Sequence, residues 1–175
     1  MNNIMTKLGK KMPIKTINEL QEKIDEVYWV EKDYELVRQY SIFLKKRDKS
    51  LKMLVTSLSL GSSEHKEILE EIIHNFRSLK VPEKSDKSYH FNFDFEKMSL
   101  SDILSSLIDY ERKMEDGYTY IYLNTDDSLI KRYYKGNILT FYWLFRSLLL
   151  DERNHESMIL DFYRNLKDKK LSKKS

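Results

Sequence analysis

The stretch Leu148-Leu149-Leu150-Asp151-Glu152-Arg153-Asn154-His155-Glu156-Ser157-Met158-Ile159 constrains the fold more than any other part of the chain. Its apolar residues recur at helical spacing, and Leu148, Ile159 and Phe162 continue one stripe. Glu152 and His155 stand three residues apart on that stripe, so a helix aims both the same way. A carboxylate and an imidazole on a face that must be buried are costly unless something compensates them. A metal ion held between facing helices is one such compensation.

Composition supports a helical reading. Only 4 glycines and 2 prolines occur in 175 residues, which disfavours a turn-rich all-β fold, and the length suffices for one domain with a real core. Twelve tyrosines argue against disorder. The chain has no cysteine, which excludes disulfides, iron–sulfur clusters, cysteine-ligated zinc and a four-thiolate iron centre. Net charge is only +3, and the positive residues collect at the ends, at Lys7, Lys10 and Lys11 and from Lys167 to Lys174. The whole chain, 1–175, is expected to be a single domain, with loose basic tails at 1–15 and 168–175 around a bundle at 16–167. No run of eighteen apolar residues and no signal-peptide core is present, so a cytoplasmic protein without a membrane span is expected.

Four amphipathic helices follow from the apolar periodicity. Thr16-Ile17-Asn18-Glu19 has the form of a capping box and opens the first. The second is expected over about 51–79, ended by Val81-Pro82. Gly61-Ser62-Ser63 offers an alternative break, because glycine costs about 1 kcal/mol inside a helix and either serine could cap a new one. Residues 80–98 are polar and aromatic without helical period and suit a crossover; the alternation from Tyr89 to Phe95 reads as an extended segment. Ser99 or Ser101 caps the third helix. The fourth runs from about Ser128 to Lys167, with a possible interruption at Gly136-Asn137. The fold class is all-α, a four-helix bundle with a long crossover between helices 2 and 3.

The two halves echo each other. Tyr118 follows Glu111 by seven residues, as Tyr40 follows Asp33; His155 follows Leu148 by seven, as His65 follows Leu58. The echo favours a second helix unbroken through Gly61, as its counterpart is unbroken through Leu150. Glu111…Tyr118…Glu152-x-x-His155 and Asp33…Tyr40…Ser62-x-x-His65 together resemble the ferritin-like superfamily, in particular its rubrerythrin-like branch, over roughly residues 17–167.

That resemblance implies a ferritin-like bundle whose helices hold iron, as one or two non-haem ions, with manganese or zinc as substitutes. By position it implies Asp33, His65, Glu111, Glu152 and His155 as metal ligands, with Tyr40, Tyr118 and Ser62 bonding around them. No catalytic residue beyond the ligands is implied. Asp33 is one methylene shorter than the family's glutamate. Ser62 stands where the family has a bridging glutamate, and neutral serine is a poor ligand for a hard cation. A single ion held by Glu111, Glu152, His155 and His65 is therefore the alternative to a pair.

Three functions remain open on the sequence. The first is an oxidoreductase linked to iron oxidation or peroxide reduction, drawing on an external electron donor because cysteine is absent. The second is a metal-free structural or interaction bundle. Nucleic-acid coating through the lysine tails is the weakest, since the middle of the chain is not basic. Tyr133, Tyr134, Phe141, Tyr142 and Trp143 exceed what one stripe hides, which points to a homo-oligomer, at least a dimer.

Overall fold

The computed structural model describes residues 13–40, 49–83 and 97–171, with side chains for all of these except 35–40 and 167–171. The described chain is all-α: α1 (Ile17–Tyr40), α2 (Lys49–Asn75), α3 (Leu100–Asn124), α4 (Asp127–Tyr133) and α5 (Ile138–Leu171). Helix α1 packs on α2 and α3, and α5 packs on α3 and α2, so one apolar core lies among the four long helices. No described helix is long and apolar enough to cross a membrane.

Caps define the helix starts. Glu19 accepts from the Thr16 amide at 3.0 Å while the Thr16 hydroxyl accepts from the Glu19 amide at 3.2 Å, the reciprocal pairing expected from the sequence. Ser99 caps α3 in the same way with Asp102. Helix α2 runs unbroken through Gly61.

Helix α2 ends at Asn75, earlier than Pro82 would require. Phe76 leaves the helix to form an antiparallel bridge with Tyr134, and Arg77 and Lys135 complete the exchange through Tyr133 and Asn75. The same bridge occupies the break between α4 and α5, where a single long fourth helix or an interruption at Gly136-Asn137 was expected. Four consecutive residues there, 134–137, are non-helical. The ring of Phe76 packs against Tyr134 and Phe141.

Several expectations shift accordingly. Ile14, inside the stretch read as a loose tail, is buried; its amide donates to the Asn124 carbonyl at 2.7 Å and its carbonyl accepts from Asp126 at 3.0 Å. Helix α5 continues to Leu171, past the expected boundary at 167. Of the aromatics thought to overflow one stripe, Phe141 and Tyr134 are buried, Tyr133 and Tyr142 half-buried, and Trp143 exposed. Most of the crossover, including Tyr89 to Phe95, and the extreme tails lie outside the described residues.

Candidate metal centre

Each long helix brings at least one polar group to the middle of the core. Glu31 comes from α1, Ser62 and His65 from α2, Glu111 and Tyr118 from α3, and Glu152 and His155 from α5. All but His155 are buried; its side chain keeps 13% exposure. Apolar neighbours in the sequence account for the burial. Glu111 lies four after Leu107 and three before Met114, and Glu152 four after Leu148, all on inward faces.

The groups form two triads that share one member. Glu31, His65 and Glu152 offer ligand atoms within 4.8 Å of one another, and so do Glu111, Glu152 and His155. His65 Nδ1 is 3.0 Å from Glu31 Oε1 and 2.9 Å from Glu152 Oε1. Only the contact to Glu31 is aligned as a hydrogen bond. Both oxygens of Glu152 and Oε1 of Glu111 have no hydrogen-bond partner. His155 Nδ1 lies 3.2 Å from Glu111 Oε2 and 4.0 Å from Glu152 Oε2. The two imidazoles face each other at 5.4 Å between centroids.

Three tyrosines border the cluster around Glu31. The Tyr118 hydroxyl donates to Glu31 Oε1 at 2.5 Å, and Tyr110 donates to Glu31 Oε2 at 3.1 Å. The ring of Tyr34 stacks on Tyr110 at 3.9 Å. Burial and the surrounding carboxylates raise all three hydroxyls well above the ordinary tyrosine range, so they act as neutral donors.

Charge is unevenly shared. Burial works to raise the pKa of Glu31, but the bond and charge of His65, with bonds from Tyr118 and Ser62, outweigh it and hold the carboxyl below its usual value. Burial and the negative Glu31 push Glu152 well above the carboxylate range. Burial alone would lower His65; its close approach to Glu152 and Glu31 and their charge overcome it and push the imidazole up to about 11.

The structure brings together Glu111, Glu152, His155 and His65 of the residues proposed as ligands. Asp33 is half-buried and belongs to neither triad; the α1 residue found in a triad is Glu31. The echo of Glu111…Tyr118 in Asp33…Tyr40 points to Asp33 and does not single out Glu31. The apolar stripe was the better guide, since Glu31 follows Val27 by four and Tyr28 by three and precedes Tyr34 by three, all three of them buried. Tyr118 lies in the site but bonds Glu31, from the other half, and Ser62 bonds Glu31 as well. The side chain of Tyr40 lies outside the described residues.

Gly61 explains itself here. A Cβ built on it would come within 2.5 Å of His155 Nε2, so the helix tolerates glycine where the imidazole needs its space.

No protein-family model, curated protein or solved structure matches the chain. The buried Glu and His groups can hold a metal ion on the strength of their own chemistry. They supply oxygen and imidazole donors without thiolates, and three of the carboxylate oxygens are buried without an aligned hydrogen bond.

Proposed function

We propose that this chain is a ferritin-like four-helix bundle, with its crossover between α2 and α3, that holds one or two non-haem iron ions for oxidation-linked chemistry. One observation carries the reading. Glu152 is 1% exposed, has no hydrogen bond to either oxygen, and is the member common to both triads. A buried carboxylate in that condition is strongly disfavoured unless a cation meets it or it takes up a proton.

The residues divide the work. Glu31 and His65 would hold one ion and Glu111 and His155 another, with Glu152 available to both. Tyr118 and Tyr110 fix the orientation of Glu31 through their hydroxyls. Leu58, Leu148 and Ile159 are fully buried on the inward faces of α2 and α5, and their apolar surface excludes bulk water. Bound iron would supply a redox couple and open positions for dioxygen or peroxide. With no cysteine in the chain, reducing equivalents must come from an external donor.

Anaerobic addition of ferrous iron to the metal-free protein, followed by elemental analysis after gel filtration, tests this reading. Iron retained at one to two equivalents per chain, with oxygen consumed on exposure to air, supports it. Protein that retains no iron, cobalt or manganese defeats it.

A second reading treats the cluster as a metal-free polar core. The contact of His65 Nδ1 with both Glu31 and Glu152 favours it, because an imidazolium there offsets part of the negative charge. Replacement of Glu152 separates the two readings, as set out below.

A further inference from the structure

The cluster is walled unevenly. On the α1–α3 side, Tyr34, Tyr110 and Tyr118 are fully buried and bond or stack around Glu31. The α3–α5 seam is crossed by two ion pairs, Arg112–Glu156 at 2.7 Å and Arg153–Glu115 at 2.6 Å. Leu58, Leu69, Leu148 and Ile159, on the inward faces of α2 and α5, are fully buried.

The α2–α5 seam differs. The partly exposed ring of His155 sits there against Gly61, a position with no side chain to cover it. Beside it the carboxylate of Asp151 is 51% exposed, with Oδ2 3.8 Å from His65 Nε2. The opposite nitrogen of the same ring touches Glu31 and Glu152. Asp151 is thus separated from the buried carboxylates by the thickness of one imidazole.

We infer that cations enter the cluster through the α2–α5 seam, and that Asp151 receives them there before His65 and His155 pass them inward. The inference rests on the metal reading above and adds a route and a residue to it. Ionised carboxylates behind the partly exposed His155 project negative potential outward, and the exposed carboxylate of Asp151 beside it raises the local cation concentration. Asp151 is a positioning residue rather than a ligand, because it belongs to neither triad.

Rapid mixing of metal-free full-length protein with Co²⁺, followed by the d–d absorption of the bound ion, tests this. Asp151→Asn should slow loading by about tenfold and weaken its dependence on ionic strength, with the final cobalt stoichiometry and spectrum of the wild type. Glu156→Gln, on the α3–α5 seam, should load at the wild-type rate. An Asp151→Asn protein that loads as fast as wild type overturns the proposal, as does a Glu156→Gln protein that slows equally. Loss of end-point cobalt in Asp151→Asn also overturns it, by making Asp151 a ligand. A wild-type protein that takes up no cobalt overturns the metal reading itself.

Discussion

The imidazole of His155 lies against Gly61, in the volume that any larger residue's Cβ would occupy. Gly61→Ala should therefore depart from the usual pattern. At an ordinary helix position this change stabilises by about 1 kcal/mol. Here the ring must move away from Glu111, and we expect no gain in melting temperature and metal affinity weakened by about tenfold or more. Isothermal titration with Co²⁺ and a thermal melt read the two effects separately. An alanine variant that melts higher and binds equally well would mean that His155 has room to spare.

Glu152→Gln distinguishes a metal centre from a polar core. As a metal centre, the variant should lose most of its bound metal, measured by elemental analysis after loading. In either case the metal-free variant should be at least as stable as the wild type, by about 1 kcal/mol in urea unfolding. A neutral amide cannot take on the buried charge that Glu31 and Glu111 disfavour at this position, and it can donate to Glu111 Oε1. Metal content unchanged by the substitution would remove Glu152 from the ligand set.

Tyr118→Phe should destabilise the metal-free protein by about 2 kcal/mol, because it deletes a short hydrogen bond to a buried carboxylate. Tyr110→Phe should cost less, since its hydroxyl is shared between Glu31 and the Val30 carbonyl at 3.1 and 3.2 Å. Chemical denaturation of both variants checks the ranking, and the reverse order would show that Glu31 depends on Tyr110 instead.

Acid should oppose metal binding across the neutral range. His65, pushed up to about 11, holds its second proton there, and the raised carboxyl of Glu152 favours its own. A cation must displace these protons, so apparent affinity should rise by about tenfold per pH unit for each proton released. Titrations in buffers of different ionisation enthalpy count the protons directly. For the metal-free fold the sign is opposite. The His65 pKa is raised from 6.5, so its stabilising contribution is complete below pH 6.5 and is lost as pH climbs through about 11. Metal affinity independent of pH would place the proton elsewhere.

Much of this arrangement was legible from spacing alone. Periodicity located the four long helices, and Glu152 and His155 stood out because charged and imidazole groups interrupt an apolar stripe. Glu111 and His65 were singled out by the internal echo and the ferritin-like resemblance. The internal echo points to Asp33 and does not single out Glu31, which the stripe of α1, marked by Val27, Tyr28 and Tyr34, places on the inward face. The early end of α2 could not be read locally. Phe76 has no helix-breaking neighbour, and only its pairing with Tyr134, 58 residues on, takes it out of the helix. Gly61 looked like a break because glycine's cost is visible in sequence, whereas the ring that requires it arrives from a distant helix.

Ser62 has a further consequence. With a hydroxyl there, Glu31, Glu111 and Glu152 are the carboxylates of the two triads. Two divalent ions, with both imidazoles neutral, would leave a surplus of one positive charge, and two trivalent ions a surplus of three. In an interior of low dielectric the second state is heavily penalised unless an added oxide or hydroxide offsets it. If two ions bind, trivalent ones would therefore have to carry such an anion in with them, whereas divalent ones would not.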